Sequence, residues 1–131
     1  MIAVDTNVLV RLLIDDPQSR SQVVAAKLLL RENAPVFVAQ IVQVEAVWVL
    51  ESGYEFDKQA ILRVLDHIKR SRLFVLQHET QFQAAVTVFA GSNADFSDCL
   101  ILEIARKSGH LPLGTFDRAL GKLDGAERLQ S

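Results

Sequence analysis

Short β-branched runs alternate with longer stretches of helical spacing from one end of the chain to the other. This alternation limits the fold more than any other feature. Ile2-Ala3-Val4-Asp5, Val36-Phe37-Val38-Ala39 and Leu73-Phe74-Val75-Leu76 read as strands. Leu111-Pro112-Leu113-Gly114-Thr115 is a fourth, weakened by its proline and glycine, and Arg128-Leu129 predicts an edge strand. Helical spacing covers 6–14, 19–31, 41–52, 79–90 and 95–108. Another helix begins after Asp57, its predicted N-cap, with Ile61, Leu62, Leu65 and Ile68 as its apolar stripe. A short one spans 118–123. Asp15-Asp16-Pro17 breaks the first helix, and Gly53 and Gly109 are the expected ends of the third and sixth. The pattern predicts an α/β sandwich with a central, mostly parallel sheet of four to five short strands flanked by helices. Neither linker nor repeat interrupts it, so residues 1–131 read as one domain.

Composition narrows the class further. The chain is 50% hydrophobic and 23% charged, which suits a packed core and not disorder. A single cysteine, Cys99, excludes a disulfide scaffold and leaves too few thiols for a structural zinc site. No apolar run reaches the roughly 18–20 residues of a membrane span. Met1-Ile2-Ala3-Val4-Asp5 has neither a basic segment nor a signal-peptide core. The expected setting is a reducing, cytoplasmic one. The net charge of −2 and pI of about 5.9 argue at first sight against a nucleic-acid partner.

A few acids stand apart from the ordinary solvated helix faces. Asp5 ends the first strand and opens Asp5-Thr6-Asn7. In open α/β sheets ligands bind outside the carboxyl ends of strands, so Asp5 is either a site acid or the N-cap of the first helix. Helical spacing puts Glu45 beside Ile41, Val42, Trp48 and Val49. A carboxylate with so little water needs a cation, a raised pKa or an escape to the helix edge. Asp95 and Asp98 open the sixth helix, where capping accounts for Asp95 and the apolar Ile101 and Leu102 point Asp98 inward. Asp117 follows the strand-like Leu113-Gly114-Thr115-Phe116 and is either a site acid or another cap.

A parallel sheet would bring these acids, from distant parts of the chain, to one edge. Several carboxylates stay ionised in one pocket only with a cation among them. Oxygen-only ligation selects a hard ion, Mg²⁺ or Mn²⁺. His67, His78 and His110 lie away from the acids in sequence, which disfavours zinc. A carboxylate-held Mg²⁺ suits phosphoryl chemistry, because it acidifies water and neutralises phosphate charge.

Four segments carry a family resemblance. They are Ile2-Ala3-Val4-Asp5-Thr6-Asn7-Val8-Leu9-Val10-Arg11-Leu12-Leu13, Val44-Glu45-Ala46-Val47-Trp48-Val49-Leu50, Asp95-Phe96-Ser97-Asp98-Cys99-Leu100-Ile101 and Thr115-Phe116-Asp117-Arg118. In order, spacing and total length the chain resembles PIN domains, most of all the VapC toxins of bacterial VapBC toxin–antitoxin pairs. The resemblance implies a PIN-like sandwich and an endoribonuclease dependent on Mg²⁺ or Mn²⁺. Asp5, Glu45 and Asp98 match the three principal acids, Asp117 the more variable fourth and Asp95 a less constant one. Thr6, Asn7 and Thr115 match polar positions that support the site. It also implies a homodimer, a VapB-type antitoxin that covers the active site, and tRNA or ribosomal RNA as substrate. Cys99 stands where a small residue such as Ala is common, and reads as core packing.

Rival readings differ in chemistry. A haloacid-dehalogenase-type phosphatase would use a strand ending in Asp-x-Asp, but Asn7 replaces the second Asp. A response-regulator receiver needs a pair of acids there, and a DNA nuclease of the same superfamily needs helical arches for which this chain has no room. A catalytically silent PIN-like binding module would not need the full acidic set. For RNA, Arg118 is the first candidate phosphate contact because it adjoins Asp117, and Arg11 is a second. Lys69, Arg70, Arg72, Arg106, Lys107 and Lys122 are further cations. Phe82, Val86 and Phe89, or Trp48 and Tyr54, are expected to leave apolar surface for a dimer or antitoxin. Setting Asp5, Glu45, Asp98 and Asp117 aside leaves twelve acids against fourteen bases, a shell of +2 around an acidic centre.

Overall fold

In the computed structural model, which describes residues 1–131, the chain begins with a short extended segment laid along the first strand. Phe37 N donates to Ile2 O at 2.8 Å and Val4 N to Phe37 O at 3.2 Å, so Ala3 bridges Phe37 in parallel. The expected strand over 2–5 is therefore reduced to one bridge. Asp5 then caps α1 (Thr6–Leu13), which buries Leu9 and Val10. Asp16 accepts from Gln18 N and starts a single 3₁₀ turn, Pro17–Ser19, that leads into α2 (Arg20–Asn33).

Strand β1 (Val36–Val38) pairs in parallel with β2 (Phe74–Leu76), Val36 opposite Phe74 and Val38 opposite Leu76. Between them run α3 (Gln40–Gly53) and α4 (Lys58–Arg70). Parallel strands need such a crossover, and its helices bury Val42, Ala46, Val47 and Leu50 on α3 and Ile61, Leu65 and Ile68 on α4. Asp57 caps α4 as expected, accepting from Ala60 N at 2.9 Å. Gly53 is the last residue of α3, and Tyr54 takes the cap position. These elements form one compact unit, Met1–Gln77.

A second compact unit covers His78–Ser131. Its core is α5 (Glu79–Ala90) on α6 (Phe96–Lys107). Phe96 stands edge-on to both Phe82 and Phe89, each with ring centroids 5.9 Å away. Phe82 and Phe89 are thus core residues, not the surface that their helix suggests in isolation. Cys99 is fully buried beside them, in keeping with a packing role. Strand β3 (Leu113–Thr115) pairs in parallel with β4 (Ala126–Arg128), Thr115 opposite Arg128. The link between them holds only a 3₁₀ turn, Leu120–Lys122. That tight crossover depends on Gly121, where a Cβ would lie 2.7 Å from Arg128 Cβ.

The α/β alternation is as expected, with every strand pair parallel, and the hydrogen bonds form two separate two-stranded sheets. No helix is long and apolar enough to cross a membrane. Because Phe96 joins two aromatic contacts in a full core, Phe96→Ala is expected to cost about 3–5 kcal/mol. Urea denaturation checks this as a lower midpoint at an unchanged slope.

Candidate active site

The N-terminal unit holds Asp5, Thr6, Asn7 and Glu45. Asp5 lies at the carboxyl end of the bridged segment and is exposed. Its Oδ1 accepts from Val8 N at 3.0 Å, which caps α1 and fixes the carboxylate. Its Oδ2 makes no such bond, so capping and ligand binding are compatible here. Thr6 Oγ1 donates to Glu45 Oε1 at 2.7 Å, tying α3 to the start of α1.

Glu45 is exposed, which overturns the expectation of a dry carboxylate. Its helical neighbours Ile41 and Trp48 are themselves 69% and 67% exposed, so this face of α3 is surface. Asn7 turns away to Gln22, at 3.4 Å. Arg11 is held by Gln22 Oε1 at 2.8 Å and by Tyr54 Oη at 2.7 Å. Tyr54 in turn donates to Asp16 at 2.8 Å. With its side chain only 16% exposed, Arg11 is committed to this internal network and is poorly placed to meet a phosphate. The network holds the Asp16 carboxyl below its usual value, first through Gln18 N and then through Tyr54.

Two glutamines missed by sequence reasoning support this edge. Buried Gln43 donates through Nε2 to Val38 O at 3.2 Å and Gln77 O at 2.9 Å, bridging the carboxyl ends of β1 and β2. Gln77 Oε1 accepts from Gln40 N at 2.9 Å and supplies the cap that Ala39 lacks. The faint signal was a glutamine inside a buried apolar run, which must find polar partners.

The C-terminal unit holds Asp95, Asp98, Thr115, Asp117 and Arg118. Asp95 occupies the N-cap position of α6, but its side chain makes no capping bond and stays exposed. Asp98, half-buried in the first turn, has its carboxyl held above the usual carboxylate value. Burial is the main cause, followed by the charges of Asp117 and Asp95. Asp117 Oδ2 accepts from Leu120 N at 2.8 Å, and Asp117 N donates to Thr115 Oγ1 at 3.0 Å. Asp117 therefore holds the first amide of the 3₁₀ turn with one oxygen. Arg118 is exposed beside it and forms no ion pair. Arg106 is spent internally, on Glu103 at 3.0 Å and on Asp124 O at 2.6 Å.

Each unit thus brings part of the acidic set together: Glu45 with the residue after Asp5, and Asp98 with Asp95 and Asp117. In neither unit do three or more His, Cys, Asp or Glu side chains cage an ion by themselves. The donors are nonetheless carboxylate oxygens, and Asp98 carries a charge that burial and its neighbours disfavour. That donor chemistry fits a hard divalent ion.

The model of the PIN domain family matches residues 2–126, across both units. A VapC ribonuclease of Aquifex aeolicus (strain VF5) is 28% identical over 93 residues, which covers 71% of this chain and 69% of that protein.

The raised Asp98 carboxyl has a sign that can be checked. Its favourable contribution is complete below the unfolded carboxylate value and is lost as pH rises through the folded one. At neutral pH the metal-free protein carries that cost. Asp98→Asn is expected to raise the melting temperature in EDTA at pH 7 and to give no gain near pH 3. Thermal melts at the two pH values read the difference.

Proposed function

The chain belongs to the PIN domain family, and on that premise we propose that it is a divalent-metal-dependent endoribonuclease, the VapC-type toxin of a toxin–antitoxin pair. The observation that carries the reading is the Asp98 carboxylate, half-buried against Asp117 and Asp95 in a family of nucleases. Like charges in a partly dry place are costly unless a cation completes them.

Asp5, Glu45, Asp98 and Asp117 are the residues that would hold Mg²⁺ or Mn²⁺. When bound, the ion supplies phosphate-charge neutralisation and a more acidic water. The chain's own residues do the rest. Asp5 presents one oxygen while Val8 N holds the other. Thr6 keeps Glu45 Oε1 in one orientation and leaves Oε2 to the ligand. Asp117 gives Oδ2 to Leu120 N and keeps Oδ1 for the ligand. A carboxylate of this set accepts the proton of the water that attacks the phosphodiester in line, while the opposite P–O bond breaks and the departing ribose oxygen takes a proton from solvent. Arg118 meets the negative charge of the RNA backbone.

The partners follow the same reading: tRNA or ribosomal RNA as substrate, a VapB-type antitoxin as inhibitor, a homodimer, and a cytoplasmic setting. The exposed Ile41–Trp48 face of α3 and the Val24 and Leu28 positions on α2 supply apolar surface for assembly. The family match leaves the phosphatase reading without support. A catalytically silent module remains the rival that experiment separates.

Asp5→Asn and Asp98→Asn are each expected to lower RNA cleavage by more than about 100-fold with the fold intact, since each removes a ligand. EDTA should abolish the wild-type activity and Mn²⁺ restore it, read on labelled RNA by gel. Full activity of purified Asp98→Asn in Mg²⁺ would overturn the assignment. Thr6→Val, which frees Glu45 without removing it, is expected to lose about 10–100-fold. In-cell cleavage mapping after induction then identifies the RNA.

A further inference from the structure

Within the C-terminal unit, a cavity of about 540 Å³ lies between the loop after α5 and the link from β3 to β4. Ser92 and Asn93 line one side, and Asp117, Arg118 and Lys122 the other. Its volume falls in the range of small-ligand pockets, and it is roomy enough for one nucleotide.

The charges around it are unevenly spent. Arg106 in the same unit is bonded to Glu103 and Asp124. The side chains of Arg118 and Lys122 form no ion pair and no hydrogen bond within the chain, although Asp117 is adjacent. Asp117 is turned to Leu120 N and stands in electrostatic contact with Asp98. One wall of the cavity is thus part of the acidic cluster, and the same wall carries two uncompensated cations. A ligand that meets both needs negative charge at intervals: one group near the acids, shared with a cation, and another near Arg118 and Lys122. A phosphodiester backbone has that spacing built in. An acidic peptide has no obligatory charge at each step. No aromatic ring lines the cavity, so the base is not held by stacking. The Asn93 amide offers it a donor and an acceptor.

We infer that this cavity is a ribonucleotide subsite next to the scissile bond, with Arg118 and Lys122 binding the adjoining phosphate and Asn93 facing the base. The inference rests on the ribonuclease reading and assigns where that substrate lies.

The test uses full-length protein carrying Asp98→Asn, so that RNA is bound without being cut. Fluorescein-labelled single-stranded RNA octamers are titrated by anisotropy at several salt concentrations in Mg²⁺. Adding Arg118→Ala and Lys122→Ala together is expected to weaken binding about tenfold or more and to reduce the salt slope by about 1.4, the value for two single-strand phosphate contacts. Arg118→Lys with Lys122→Arg should restore most of the slope, which a merely structural role would not do. In the active protein the alanine pair should raise KM and leave kcat within about threefold. Both side chains are exposed, and an unchanged melting temperature verifies the fold. If wild-type protein cleaves RNA while the alanine pair keeps affinity and slope, the subsite assignment fails and the ribonuclease reading stands. The assignment also fails if the pair weakens only an acidic peptide, since the cavity is then a protein-docking site. If wild-type protein neither binds nor cleaves RNA in Mn²⁺, the ribonuclease reading itself falls.

Discussion

Parallel alignment is the constraint from which the rest of each unit follows. In the N-terminal unit, Ala3 lies parallel to Phe37, and β1 lies parallel to β2. Every one of these segments therefore ends on the same side, and Asp5 and the start of α3 emerge there. Gln43 and Gln77 consolidate that edge by satisfying the last strand carbonyl and the first amide of α3. An antiparallel neighbour would send one end to the far side and strand its acid there. In the C-terminal unit β3 and β4 repeat the logic, and Asp117 leaves β3 at its carboxyl end.

Capping and ligand binding are often weighed as alternatives for an acid before a helix, and here the geometry leaves room for both. Asp5 and Asp117 each give one oxygen to a backbone amide and keep the other free. The hydrogen bond to the amide removes rotamer freedom, so the other oxygen is held in position as well. Asp98 is treated differently. It has no backbone donor to stabilise its charge, and burial together with two nearby acids works against it. Burial and two neighbouring acids thus set Asp98 apart from the carboxylates that are held by backbone amides.

Helix positions were legible in the sequence because the 3.6-residue period and the cap at Asp57 are local signals. Strand lengths were not, since strands of three residues depend on which neighbour supplies hydrogen bonds. Asp5 and Asp117 stood out because they follow strand-like runs, and Glu45 and Asp98 because their neighbours in sequence are apolar. Their surroundings were harder to read. Glu45 sits in an apolar stretch whose Ile41 and Trp48 prove to be surface, while Phe82 and Phe89 prove to be core. Periodicity says which residues share a face, but not whether another element covers it. The internal bonds of Arg11 and Arg106 were out of reach for a related reason: their partners Tyr54 and Asp124 are 43 and 18 residues distant. Gln43 and Gln77 bond to backbone atoms brought near only by the fold.

Trp48 is the chain's one tryptophan, and it stands 67% exposed on α3, one turn from Glu45. Its optical consequence runs opposite to that of most small proteins. A water-exposed indole emits at long wavelength even in the folded state, so unfolding the core changes its colour little. Whatever covers this face of α3 removes water from the ring and shifts its emission to the blue. The protein therefore carries an intrinsic reporter that is nearly blind to folding and sensitive to events on the surface beside Glu45.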